Sequence, residues 1–209
     1  MTNVFIADDH SIVRKGFRQI IEETPNMSVI GEAGSGDEVL TKARTENWDI
    51  LVLDLSMPGR GGLDVLQELH AMKPRMPILV LSMHPEDQYA VRTFKAGASG
   101  YVNKESAVEE LVTAIQKVVD GGRYVSPEFA EKLAFDLTRN STKALHEALS
   151  DREYRVLCML GAGKRVSEIA TDLIISVKTV STYRARILEK MNLTSNAEII
   201  RYTIENNLA

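Results

Sequence analysis

Asp8, Asp9, Asp54, Ser82 and Lys104 share one local setting, because each follows a short apolar run. Val4-Phe5-Ile6-Ala7 leads into Asp8-Asp9, and Ile50-Leu51-Val52-Leu53 into Asp54. Ile78-Leu79-Val80-Leu81 leads into Ser82, and Gly100-Tyr101-Val102 passes through Asn103 to Lys104. Carboxylates, a hydroxyl and an ammonium are the groups that handle a phosphoryl group. A hard cation such as Mg2+ takes oxygen ligands in an octahedron and keeps some of its waters. Asp9 and Asp54 can each give it one oxygen, Asp8 can act through a water, and the carbonyl of Ser56 lies in the loop after Asp54. Clustered carboxylates repel, and a dication removes that penalty. One of them can then be a nucleophile, since aspartate forms acyl-phosphates. Asp54, ending the central run and followed by the turn Ser56-Met57-Pro58-Gly59, is best placed. Ser82 suits a hydrogen bond to a phosphoryl oxygen, and Lys104 suits its charge.

For these groups to meet, the runs must be neighbouring strands with their carboxyl ends on one edge. Helical periodicity near 12–23, 35–46, 62–73, 86–96 and 106–120, with a weaker strand around Met27–Glu32, makes residues 1–122 five βα units. That pattern predicts an α/β fold, a doubly wound five-stranded parallel sheet, whose ligands bind at the carboxyl edge. Any one of these residues alone reads as an ordinary turn or surface residue. An acidic pair, Asp, Ser and Lys, all at carboxyl ends of strands, is a far more specific pattern. Gly121-Gly122 closes the last helix. Ser126-Pro127-Glu128 starts another that runs to about Leu137, and the aperiodic stretch 138–143 reads as a linker, so 123–144 form a linker with a helix.

Residues 145–209 contain no strand pattern. Ser150-Asp151-Arg152-Glu153 is a capping box, Gly161-Ala162-Gly163 a stop, and a short helix spans 166–173. Ile174-Ile175 forms a turn, Ser176 caps a helix to about Met191, and Ser195 starts a final helix ending near Asn206-Asn207. Four helices, two of them joined by a tight turn, predict an all-α helix-turn-helix domain. On the third helix, Val177, Val180, Ile187, Leu188 and Met191 recur at core spacing. Lys178, Ser181, Thr182 and Ala185 form a short, mostly polar stripe that can approach base edges in a major groove. Thr179, Tyr183, Arg186 and Lys190 flank it and suit phosphate contacts. Arg184 falls within the apolar stripe, its stem packing there and its guanidinium reaching solvent.

Charge divides along the same line. Residues 145–209 carry nine basic against eight acidic side chains, leaving sixteen against twenty-one in 1–144, and 177–191 hold four basic residues against Glu189 alone. No stretch approaches eighteen apolar residues, so no membrane partner is expected. The start has no secretory pattern, and the single cysteine, Cys158, reads as a buried thiol; a cytoplasmic protein is the expectation. His10 and His84 read as residues on the rim of the site, and Trp48 as core.

Residues 1–122 resemble the receiver domain of bacterial two-component response regulators, through "FIADDH", "LVLDLSMPGRGG", "LVLSMH" and "GYVNK". Residues 145–209 resemble the LuxR-type helix-turn-helix, through "LSDREYRVLCML", "SEIATDL" and "SVKTVSTYRARILEKM". Order and spacing are similar to the NarL/FixJ subfamily over nearly the whole chain. The resemblance implies that Asp54 is the phosphoacceptor, Asp8 and Asp9 the metal pair, Ser82 and Lys104 the phosphoryl-sensing residues, and Tyr101 a switch aromatic that turns inward on phosphorylation. It implies a histidine kinase or phosphotransfer protein as donor, double-stranded DNA as target, and a homodimer through the final helix when active. RNA polymerase is a further partner class, and the receiver catalyses only its own phosphorylation and dephosphorylation. Two positions depart from many relatives: Glu105 follows Lys104 where Pro is common, and Ser181 stands where a basic residue is common. Two other readings of the residues stay open: a phosphorylation-independent DNA-binding protein with a degenerate receiver, and an interaction module or phosphate sink that does not bind DNA.

Overall fold

The computed structural model describes residues 1–57, 60–138, 144–206 and 208, with the backbone alone for Gln88, 135–138 and Asp151. The stretch read as a linker lies outside the described residues except for Thr138, as do Pro58 and Gly59 of the turn after Asp54 and Asn207 of the final helix end. The chain forms two compact units, Met1–Phe135 and Asp136–Ala209.

In the first unit, β1 (Thr2–Ala7), β2 (Met27–Ala33), β3 (Ile50–Asp54), β4 (Ile78–Ser82) and β5 (Gly100–Asn103) form one parallel sheet in the order β2-β1-β3-β4-β5. Between them run α1 (Ser11–Glu22), α2 (Gly36–Ala43), α3 (Gly62–Met72) and α4 (Glu86–Lys95), and α5 (Ala107–Val119) follows β5. Helices α1 and α5 pack on one face, over a core that includes Ile6, Ile21, Val52, Leu81, Leu111 and Ile115. Covering a sheet on both faces makes its inner strands uninterrupted apolar runs, and β3 and β4 are buried at every residue. Edge strand β2 exposes Ile30, which is why its pattern is weaker. Register sets Ala7 beside Leu53, Asp54 beside Leu81 and Ser82 beside Asn103, so the residues after each strand converge on one edge.

The unit continues past 122. Gly121, at φ +86°, closes α5 as a left-handed cap, and Gly122 N–H donates to the Lys117 carbonyl. Tyr124 then bridges Gly100, and its carbonyl accepts from Tyr101 N–H. Helix α6 (Pro127–Thr138) starts at Ser126, whose hydroxyl accepts from Phe129 N–H while its own N–H donates to Glu86.

In the second unit a 3-10 turn (Leu145–Ala148), which no periodicity announced, precedes α7 (Asp151–Gly161), α8 (Val166–Asp172), α9 (Val177–Lys190) and α10 (Asn196–Glu205). Ser150, Ser176 and Ser195 cap three of these helices, each accepting from a backbone N–H three residues on. Tyr154, Leu157, Ile169, Val180, Ile187 and Ile199 make the core. Val177 departs from its expected place in that core, being 52% exposed, because it stands at the first position of α9 and points beyond the packed turn. Cys158 is partly rather than fully buried.

Candidate functional site

At the carboxyl edge of the sheet, Asp8 and Asp54 are almost wholly buried and Asp9 is exposed. Ligand atoms of Asp8, Asp9, His10 and Asp54 lie within 4.8 Å of one another. Lys104 Nζ sits between two of the carboxylates, 2.6 Å from Asp8 Oδ2 and 2.8 Å from Asp54 Oδ2. The contact with Asp8 is a hydrogen bond, whereas that with Asp54 is an ion pair without hydrogen-bond alignment, leaving Asp54 Oδ2 without a hydrogen-bond partner. Asp54 Oδ1 accepts from Ser56 N–H at 2.9 Å, which folds the loop back over the strand end.

Burial pushes the Asp54 carboxyl above its ordinary range, in spite of the Lys104 ammonium and the Ser56 N–H; the charge of Asp8 adds to the rise. Burial pulls Lys104 the other way, but the charges of Asp54 and Asp8 outweigh it and hold the ammonium above an ordinary lysine. One ammonium therefore answers two of the three clustered carboxylates, and a buried oxygen of Asp54 lacks a hydrogen bond. This oxygen-donor set fits a hard divalent cation: the acidic cluster of Asp8, Asp9 and Asp54 can bind one.

Ser82 is buried, and its Oγ accepts from His84 N–H at 3.1 Å. Tyr101 is already inward in this structure, wholly buried, its hydroxyl donating to the His84 carbonyl at 2.8 Å. Both residues thus hold the same loop between β4 and α4. Among the described residues no peptide is cis, the Lys104–Glu105 bond included. Arg14, which no motif marked, donates to the Asp8 carbonyl and to Glu32 and so ties down the loop after β1. A single arginine on the first turns of a helix carries no distinctive signal. His10, read as a rim residue, places Nδ1 2.9 Å from Asp9 Oδ1.

On α9, Lys178, Ser181, Thr182, Ala185 and Arg186 are exposed on one side, with Thr179 and Tyr183 half-buried beside them. Lys190 has a partner inside the unit: its ammonium lies 2.6 Å from the buried Glu153 carboxylate. Arg184 Nε donates to Asn196.

A β2-β1-β3-β4-β5 sheet with an acidic cluster and a lysine at its carboxyl edge, joined to a helix-turn-helix unit, defines a signal-receiving, DNA-binding regulator. Residues 4–116 match the response regulator receiver domain, and residues 147–203 the luxR family of bacterial regulatory proteins. The chain is 34% identical over 209 residues to the response regulator UvrY of Escherichia coli K12, covering all of this chain and 96% of that one. It is 35% identical over 208 residues to the response regulator GacA of Pseudomonas protegens, covering all of this chain and 98% of that one. Among solved structures, RcsB of Salmonella enterica serovar Typhimurium, bound to promoter rprA with the phosphomimetic BeF3-, gives a TM-score of 0.66 at 26% identity, over 97% of this chain and 98% of that one. The chain belongs to the NarL/FixJ-type two-component response regulators, which are DNA-binding transcription regulators rather than enzymes. Among the described residues no helix is long and apolar enough to cross a membrane.

Proposed function

We propose that this regulator is phosphorylated on Asp54 by a histidine kinase or phosphotransfer protein in a Mg2+-dependent reaction, and then binds double-stranded DNA as a dimer to control transcription. The observation that carries the reading is the buried Asp54 carboxylate, with an oxygen lacking a hydrogen bond, beside Lys104 and the acidic pair. An Asp54 oxygen attacks the phosphorus of a phosphohistidine in line; the new O–P bond forms as the N–P bond breaks, and the imidazole leaves. Asp9, Asp54 and the Ser56 carbonyl would hold Mg2+, with Asp8 acting through a water. When bound, the cation neutralises charge on the transferring group and the carboxylates. Lys104 pairs with the phosphoryl charge, and Ser82 donates its hydroxyl to a phosphoryl oxygen.

Ser82 now accepts from His84 N–H, and Tyr101 donates to the His84 carbonyl. Drawing Ser82 to a phosphoryl group acts on the loop that also anchors Tyr101, which supports Tyr101 as the switch aromatic. Lys178, Ser181, Thr182 and Ala185 face bases, and Thr179, Tyr183 and Arg186 face phosphates. Lys190 joins them only by leaving Glu153. Ala197, Ile200 and Ile204 are exposed at three- and four-residue spacing on α10, which supports a dimer through that helix. That RcsB is seen as two dimers on two parallel DNAs supports a dimer as the DNA-bound form. Residues 1–122 act as the receiver, 145–209 bind DNA, and the cytoplasm, where kinase, chromosome and RNA polymerase are accessible, is the expected place.

The test is labelling by a small-molecule phosphodonor with Mg2+, followed by peptide mass spectrometry. Asp54→Ala should abolish labelling, and Asp9→Ala should suppress it. A phosphoryl group found on Asp8 or Asp9 of the unchanged protein would overturn the assignment.

A further inference from the structure

We infer that Val177 reads the C5 methyl of a thymine in the major groove, so that each half-site bound by this protein carries one required thymine. The inference rests on the reading of α9 as the DNA-facing helix and names what that helix selects. The exposed positions of α9 repeat every four residues as one strip; Val177, Lys178, Ser181, Thr182, Ala185 and Arg186 form its first three turns, and Glu189 and Lys190 its end. Val177 heads it at 52% exposure, where apolar periodicity had assigned it to the core.

The strip is less polar than its composition suggests. Ser181 Oγ donates back to the Val177 carbonyl at 2.9 Å, and Thr182 Oγ1 to the Lys178 carbonyl at 3.0 Å. Both hydroxyl protons are spent within the helix, so these side chains offer acceptor lone pairs and carbon. What remains to read a base edge is largely apolar: Val177, the Thr182 methyl and Ala185, with Lys178 and Arg186 alongside. Thymine is the base that presents an apolar group in the major groove, and Ala, Thr and other apolar side chains contact that methyl. An apolar ridge flanked by two cations fits a methyl-lined groove between phosphates. Glu189 is the one acidic residue on this side of α9, and it stands at the far end from Val177.

The turn before α9 adds to the apolar surface. Ile174 is 73% exposed and holds φ +54°, a left-handed conformation that costs a β-branched residue dearly. That conformation closes α8: Ile174 N–H donates to the Thr171 carbonyl and Ile175 N–H to the Ala170 carbonyl, which leaves the Ile174 side chain on the surface at the entry to α9. Ile174 lies three residues before Val177 and adds a second exposed aliphatic side chain at the entry to α9.

Uracil removes only the methyl of thymine and so tests this directly. Full-length protein, treated with beryllofluoride and Mg2+, would first select its preferred duplex from a random pool. Each thymine of that duplex would then be replaced singly by uracil. At one thymine per half-site the unchanged protein should lose about fourfold in affinity, the size of one buried methyl group. Val177→Ala should bind the thymine duplex more weakly by a similar factor and lose nothing further on uracil; Val177→Ser is a second variant of the same kind, and a melting transition like the parent's shows each is folded. The inference is overturned if no uracil weakens the parent, or if both variants remain sensitive at the same position. It is also overturned if the variants keep full DNA affinity and lose only transcription, since the surface would then serve a protein. Failure of the parent to select any duplex would refute the DNA reading of α9 itself, a separate result from insensitivity to uracil.

Discussion

Asp54 and Glu153 are both buried carboxylates facing a lysine, and they stand on opposite sides of the ordinary carboxylate range. For Asp54 burial wins, and the ionised carboxylate costs stability. Asp54→Asn should therefore stabilise the metal-free first unit, by on the order of 1 kcal/mol. Added Mg2+ should stabilise the parent and not the variant, because a cation held by the folded state shifts unfolding by mass action. Thermal melts with and without Mg2+ check this, and equal shifts in both proteins would count against Asp54 as a metal ligand. For Glu153, burial pushes the carboxyl up, but the Lys190 ammonium and the Ser150 cap outweigh it, and the group ends below its usual range. A lowered carboxylate stabilises the fold above its unfolded value, about 4.3, and that contribution is lost as pH falls through the lower folded value. The second unit should thus weaken below about pH 4, and Lys190→Ala should lose less there than the parent. At neutral pH Lys190→Ala should cost roughly 1 kcal/mol, since the lysine is partly exposed and screened. Denaturant midpoints at pH 7 and pH 3 decide. An unchanged midpoint with a shallower salt dependence of DNA binding would make Lys190 a phosphate contact instead.

At the scale of elements, the loop after β3 is positioned by how closely backbones approach. A Cβ on Gly62, at the first turn of α3, would lie 2.4 Å from Leu55 Cα and 2.6 Å from the Asp54 carbonyl oxygen, and Gly62 N–H donates to the Leu55 carbonyl. Gly62→Ala must push α3 away from the strand end that carries Asp54. We expect a stability loss of about 1–3 kcal/mol, typical of overpacking, and slower phosphodonor labelling with Asp54 itself intact. Parental labelling rates would show that the loop tolerates the shift. The same region shows what a sequence can carry. Strands β3 and β4 were legible because helices on both faces demand unbroken apolar runs, and the polar residue ending each run was visible with them. The caps Ser150, Ser176 and Ser195 were legible because their partners are local. Tyr124 bridging Gly100 was not, since one isolated bridge has no period. Nor was Lys104 already paired to Asp8, a contact between residues 96 apart. Val177 was misplaced because a 3.6-residue period, extended to the first residue of a helix, runs past the packing that enforces it.

For the molecule as a whole, the exposed branched side chains of α8 through α10 fall into two groups with different uses. Ile174 and Val177 lie at the entry to α9, while Ile200 and Ile204 lie one turn apart on α10, Ile204 at 63% exposure. The α10 pair is too small to hold a dimer strongly by itself, as burying a few aliphatic groups gives only a few kcal/mol. Such a contact becomes decisive when two half-sites about one helical turn apart bring two copies onto the same DNA. The second copy then binds at the effective concentration set by the first. Ile204→Lys should break that contact, because a two-fold interface sets each new ammonium against an apolar partner and its own symmetry mate. Affinity for a duplex with two half-sites should fall by about a hundredfold, while affinity for a single half-site stays at the parental value. Sedimentation of the beryllofluoride-treated variant should give a monomer where the parent gives a dimer. If the variant still sediments as a dimer and still binds paired half-sites cooperatively, α10 is not the interface. The exposed isoleucines would then have to serve another contact, and phosphorylation would have to assemble the dimer through the first unit.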